Sequence, residues 1–410
     1  MTQGAPGTAS FFSSLLDWEW IAVDDGTVRK QFRGTQVGFD LWRRDHADQR
    51  PADVRPMGVY DAMWERPGMA MQPIAITASD DGVMGVVTAD GFLARWDVTR
   101  RTLIERARLA PPPVDRDGLA IVAVGDPGGR WMTWADGAGV VRRIDIASGR
   151  TVAEIATWID GLTMMAVVED GFVAGDGRES ADGMQVMICF DWTGAQRWVR
   201  GFTGLRACAA DAGRFVFLVG DAVQVVAADY GTDVGAPMVP NPLKKHYYCC
   251  PRAAYRPIAM RDGRVVANGW DGRWSAEGSV AADHLPGVIR SSVAVIIASG
   301  GRTVIIAEDS EAEIAIIDAT GMRERSLVGH LGAVTAIALT PDGSRLVSTG
   351  EDGYVIVWET ATWSRVAQAA LLQTEIGSEQ GWWMMGADGM MNGSPGHERW
   401  LNPCVGHDQT

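Results

Sequence analysis

Residues 329–358 read GHLGAVTAIALTPDGSRLVSTGEDGYVIVW, and this stretch decides the fold. Val334 to Leu339 alternates like a strand, and Pro341-Asp342-Gly343 is a turn. Leu346 to Thr349 returns, Glu351-Asp352-Gly353 turns again, and Tyr354 to Trp358 closes the unit. Pro sets φ for the first turn, Asp bonds its own backbone, and Gly takes the left-handed position, so the turns follow from residue chemistry. The product is a three-stranded antiparallel meander with a fourth strand expected beside it.

The same grammar recurs toward the N-terminus. Ile74 to Thr77, Asp80-Asp81-Gly82, Val83 to Thr88, Asp90-Gly91 and Phe92 to Trp96 form a copy ending at Asp97. Further copies end at Asp145, Asp191, Asp229, about Ser275, Asp318 and Glu359. Their spacing centres on the roughly 40–45 residues of one four-stranded propeller blade. The expected fold is all-β: a propeller of about seven four-stranded blades over residues 70–372, with eight blades as the alternative. A blade cannot bury both faces alone, so neighbours must stack and the ring must close.

Closure requires the chain ends to meet. Trp18 to Val23, Thr27 to Phe32 and Val37 to Trp42 are strand-like, as are Gly381 to Met385 and Met390 to Asn392. Residues 1–69 are therefore expected to contribute closing strands or an irregular blade, and residues 373–410 a closing segment and tail.

Composition agrees with this class and limits function. The chain has 410 residues, 47% of them hydrophobic, with 49 glycines and 17 tryptophans, so a large core joined by tight turns is within reach. A formal net charge of -14 repels nucleic-acid backbones and anionic lipid, so neither is an expected partner. No apolar run reaches the roughly 18 residues needed to span a bilayer, and Met1 to Ser10 has no basic leader, so a cytoplasmic location is expected. The five cysteines, with Cys249 and Cys250 adjacent, fit a reducing compartment better than a disulfide framework. Abundant Ala, Gly and Arg are associated with a bacterial source.

The unit at 329–359 resembles a WD repeat. Its Gly329-His330 dipeptide, Asp342-Gly343 turn, Ser348, Asp352 and Trp358 stand where that family carries them. The resemblance implies that His330, Ser348, Asp352 and Trp358 form a hydrogen-bonded structural tetrad joining the strands of one blade. A buried Asp and a Trp N–H both need partners in any case, and a paired network holds strand register. The first copy keeps Trp96-Asp97 but has Val86 in place of the Ser, and the other copies lose the Trp or the His. Two fainter likenesses accompany it. Cys189 to Trp198, CFDWTGAQRW, is similar to a blade-packing signature of pyrroloquinoline quinone-type propellers, which implies architecture and no cofactor. Ala387 to Trp400 resembles a closing segment of bacterial WD-repeat proteins from multi-component systems.

Most chemistry-bearing residues fit structural roles. His246, Cys249 and Cys250, and separately His397, Cys404 and His407, have ligand-like proximity but lack the two separated pairs of a structural zinc site, so no metal is expected. Cys208 with His284 could form a nucleophile pair, yet neither lies in a nucleophile-bearing turn. Gly125 to Gly129 lacks phosphate-loop spacing and sits at a strand-to-strand turn. No cofactor or catalytic residue is expected. The connection between Asp229 and Tyr255 is longer than its counterparts and carries Lys244, Lys245, His246, Tyr247, Tyr248 and Arg252 in an acidic chain. Exposed Tyr and Arg anchor interfaces, so these six are the candidate partner-binding residues; alternatively His246 to Cys250 is the inner strand of the fifth blade. The expected function is a non-enzymatic scaffold for another protein or a peptide, possibly within a bacterial multi-component system, with oligomeric state open. The alternative is a propeller hydrolase or lyase using paired carboxylates in the channel.

Overall fold

The computed structural model describes residues 20–24, 28–32, 73–88, 91–109, 121–238 and 258–394, with breaks inside the last two spans. These residues are all-β, with no helix among them. β1 (Trp20–Asp24) and β2 (Val28–Phe32) pair with each other, Trp20 opposite Phe32. Antiparallel sheets follow in chain order. The first holds β3 (Pro73–Ala78), β4 (Val83–Thr88), β5 (Phe92–Asp97) and β6 (Thr102–Arg108). The second holds β7 (Ile121–Gly125), β8 (Trp131–Asp136), β9 (Val140–Asp145) and β10 (Thr151–Ala156). The third holds β11 (Met164–Val168), β12 (Gly171–Gly175), β13 (Met184–Asp191) and β14 (Gln196–Thr203).

The fourth sheet, β15 (Leu205–Asp211), β16 (Arg214–Val219) and β17 (Ala222–Ala227), has three strands, and bridges from Val226 to Asp233 and Val223 to Met238 stand in for the fourth. The fifth is β18 (Ile258–Arg261), β19 (Arg264–Ala267) and β20 (Trp270–Ser275), flanked by short β21 (Gly278–Ser279) and β22 (Asp283–His284). The sixth is β23 (Ser292–Ile297), β24 (Val304–Glu308), β25 (Glu313–Ile317) and β26 (Arg323–Val328). The seventh runs β27 (Val334–Leu339), β28 (Arg345–Gly350), β29 (Tyr354–Glu359), β30 (Ser364–Leu371), β31 (Trp382–Gly386) and β32 (Met391–Gly393). Several sheets are thus the four-stranded meanders of propeller blades. Their third strands end at or within two residues of the positions that mark the sequence copies.

The first strands stand beside one another: β3 with β7, β7 with β11, β11 with β15, β15 with β18, β18 with β23, β23 with β27, and β27 with β3. Sheets that pack on neighbours through both faces are apolar on both, and buried runs such as Ile314 to Ile317 are unbroken where a one-sided sheet would alternate. Met84, Val86, Ala94 and Trp96 of the first sheet share one cluster with Val347, Val355, Val357, Ala367 and Ala369 of the seventh. Arginines tie sheets together by donating to carbonyls of the next one. Arg95 donates to Ile146 and Ala147 at 2.8 and 2.9 Å, Arg200 to Gly231 at 3.1 Å, and Arg325 to Thr362 at 2.9 Å. Arg143 donates to Glu169 at 3.1 Å while its guanidinium lies between the Trp131 and Trp192 rings, 4.6 and 4.3 Å from their centroids.

The N-terminal hairpin pairs only with itself among the described residues, and Val37 to Trp42 lies outside them. The C-terminal strands extend the seventh sheet and reach the first from outside. Arg101 meets Asp388 at 2.8 Å, the Asn392 side-chain amide donates to the Arg101 carbonyl at 3.0 Å, and Trp382 stands edge-on to Trp96 at 5.6 Å.

Candidate functional site

The seventh sheet concentrates its buried polar groups in one chain. The Trp358 indole Nε1 donates to Ser348 Oγ at 2.9 Å, and Ser348 Oγ lies 2.8 Å from His330 Nε2. His330 Nδ1 faces both Asp352 carboxylate oxygens at 3.2 Å, and Asp352 Oδ1 also accepts the Tyr354 N–H at 2.9 Å. One assignment satisfies every group: Trp N–H to Ser, Ser O–H to His Nε2, and His Nδ1–H to Asp. This puts the imidazole proton on Nδ1, an assignment fixed by the network. All four side chains are buried. Gly350 is required beside them, because a first side-chain carbon there would fall 2.6 Å from His330 Nδ1.

The first sheet lacks this chain, with a measurable consequence. Met84 lies opposite Trp96 as Leu346 lies opposite Trp358, so Val86 occupies the place of Ser348. Trp96 is fully buried, and among the described residues its Nε1 has no hydrogen-bond partner. The segment ending in Trp198 is also structural. Its indole Nε1 donates to the Ala228 carbonyl of the fourth sheet at 2.9 Å, and its ring covers Gly231, whose φ of 67° admits no ordinary side chain.

Lys244, Lys245, His246, Tyr247, Tyr248 and Arg252 lie outside the described residues, as do Cys249, Cys250, His397, Cys404 and His407. Among the described residues the inner position of the fifth sheet is held by β18, beside β15 and β23, and the alternative inner strand at 246–250 lies outside them. Among the described residues, no group of three His, Cys, Asp or Glu side chains is placed to hold a metal. Burial pushes the thiols of Cys189 and Cys208 up to about 12, so neither is a thiolate near neutral pH. Cys208 sits in inner strand β15 and His284 in outer strand β22 of the following sheet. The described inner strands carry a single carboxylate, Asp211, at the end of β15.

Residues 321–359 match the family described as "WD domain, G-beta repeat". The chain carries a WD repeat. Repeats of that family generally mediate protein–protein scaffolding and are typically non-enzymatic. A "66 kDa stress protein" of Physarum polycephalum is 31% identical over 85 residues, which are 20% of this chain and 13% of that protein. The crystal structure of the computationally designed Ika8 protein superposes with a TM-score of 0.50 at 18% identity, covering 80% of this chain and 96% of that one, a likeness of fold alone.

The sequence contained no sign of two features. The inter-sheet arginine bonds depend on which carbonyl a neighbouring sheet presents. Trp158, exposed with a φ of 50°, is placed by backbone geometry that residue type disfavours.

Proposed function

We propose that the chain is a non-enzymatic scaffold that binds another protein or a peptide, built as a closed seven-bladed propeller. The observation that carries this reading is that several chemistry-bearing side chains among the described residues are spent on structure. Both ring nitrogens of His330 are bonded within its sheet, the Cys189 and Cys208 thiols stay protonated, and Arg95, Arg143, Arg200 and Arg325 serve neighbouring carbonyls. The contact of β27 with β3 and the Arg101–Asp388 pair support closure between the first and last sheets. Described inner strands made mostly of Val, Ile, Ala and Met, with Asp211 their single carboxylate, favour binding over acid–base chemistry, which needs two facing carboxylates.

Binding on such a ring belongs to its loops, and the 244–252 segment is the first candidate. In this reading the chain serves a bacterial multi-component system in the cytoplasm, with any catalysis in another subunit. The test is a pull-down from host extract with the intact chain and a variant changed at Lys244, Lys245, Tyr247, Tyr248 and Arg252, after both are shown to fold. A partner retained by the intact chain and lost by the variant supports the scaffold and its face. Turnover by the purified chain that disappears with Asp211→Asn would instead establish the channel enzyme.

A further inference from the structure

The outer edges of the third and seventh sheets are alike in length and unlike in cover. Both outer strands, β14 and β30, have eight residues. β30 accepts β31 as an antiparallel fifth strand, with Ala367 opposite Gly386 and Leu371 opposite Trp382. Among the described residues no strand pairs with the outer edge of β14. An open edge is a template for another strand, and proteins commonly guard it with outward charges or proline. β14 has no proline, and its two arginines are turned back: Arg197 to Asp170 at 2.8 Å and Arg200 to Asp233 at 2.7 Å.

The face beside this edge is apolar and exposed. Met184, Val186, Ile188 and Phe190 alternate onto the side of β13 that packs toward the second sheet, and Val199 of β14 lies opposite Ile188. Met184, Val186 and Val199 are 38%, 41% and 52% exposed. Trp158, which follows β10 of the second sheet, closes one end with its ring edge-on to Phe190 at 5.4 Å and is 66% exposed. A bulky residue at φ 50° is strained, so its neighbours must hold it. Thr157 does so: it is fully buried, and both its N–H and its hydroxyl donate to the Gly139 carbonyl, at 3.0 and 2.7 Å. A rigid, outward Trp beside branched aliphatics is the composition of a binding hot spot.

We infer that β14 is a strand-addition edge. An extended segment of a partner protein, with apolar side chains at alternate positions, pairs with β14 as a fifth strand and lays those side chains on Val199, Val186 and Trp158. The chain's own β31, Trp382-Trp383-Met384-Met385-Gly386, shows the chemistry such an edge accepts: large apolar residues, no charge and no proline. This rests on the scaffold reading and adds a second face to it, remote in sequence from residues 244–252.

The probe is a fluorescein-labelled nine-residue peptide alternating tryptophan or valine with threonine, compared with the same peptide carrying two central prolines. Anisotropy is expected to show saturable binding of the first and none of the second, with slowed hydrogen exchange over residues 196–203. Val199→Lys and Trp158→Ala, both at exposed positions, are each expected to weaken binding at least tenfold while the denaturation midpoint holds. Equal binding of the proline peptide, no binding of the first peptide, or unchanged affinity in both variants overturns the inference. Sedimentation showing a dimer that Val199→Lys dissociates also overturns it, by giving the edge to a second copy. A host partner lost by the 244–252 variant but kept by Val199→Lys would leave the scaffold reading standing without this second face.

Discussion

Replacing Ser348 with alanine removes one oxygen and breaks two buried hydrogen bonds, those to Trp358 Nε1 at 2.9 Å and His330 Nε2 at 2.8 Å. The volume lost is small, so the cost is that of stranding a donor and an acceptor away from water. An unpaired buried polar group costs about 1–3 kcal/mol, and Trp358 and His330 are each only 3% exposed, too covered for solvent to substitute. The expected destabilisation is therefore about 2–4 kcal/mol, below the full sum because His330 keeps its Asp352 bond. Trp358→Phe removes the donor and gives a second corner for a double-mutant cycle, in which coupling of about 1–2 kcal/mol is expected. Urea unfolding with a common slope measures both, and hydrogen exchange over residues 345–359 locates the loss. A Ser348→Ala cost under about 0.5 kcal/mol, with strictly additive double mutants, would refute the argument that this network holds the seventh sheet.

The mirror experiment is Val86→Thr, which offers the Trp96 N–H the acceptor it lacks; it is expected to be at least about 1 kcal/mol less destabilising than Val87→Thr, whose hydroxyl meets only apolar neighbours. Arg101→Ala removes an ion pair between half-exposed groups, so global stability should change by less than about 1 kcal/mol, while hydrogen exchange across residues 382–393 quickens several-fold. Bonds from the Thr340 hydroxyl, then from the Ser344 N–H, hold Asp342 down to about 2. A depressed carboxylate contributes stability above its unfolded value of about 4 and loses it as pH falls toward 2. Asp342→Asn should therefore flatten that limb of the acid denaturation curve and leave the curve above pH 5 parallel to wild type.

Much of the architecture was legible because turn chemistry is local. Asp80-Asp81-Gly82, Asp342-Gly343 and Asp352-Gly353 mark chain reversals whatever surrounds them, and apolar runs between them set strand length. The His330–Ser348–Asp352–Trp358 set was named by its resemblance to the WD-repeat pattern; a buried Asp and Trp must find partners in any case, and the meander brings 330, 348, 352 and 358 to one place. The orphaned Trp96 N–H was implicit in Val86, although only the shared register of Met84–Trp96 and Leu346–Trp358 shows that the two positions correspond.

By itself the sequence determined the class, the meander units and their spacing, since each depends on residues close in the chain, and its resemblance to a WD repeat pointed to the His330–Ser348–Asp352–Trp358 network. The tertiary structure decided what lies between units. It sent the C-terminal strands to the outer edge of the seventh sheet and left the N-terminal hairpin paired only with itself among the described residues. It made β18 the inner strand of the fifth sheet. It also chose the carbonyls that Arg95, Arg143 and Arg325 reach and left the edge of β14 open beside Trp158. These features depend on distances between residues tens to hundreds of positions apart, which packing sets and residue order does not encode locally.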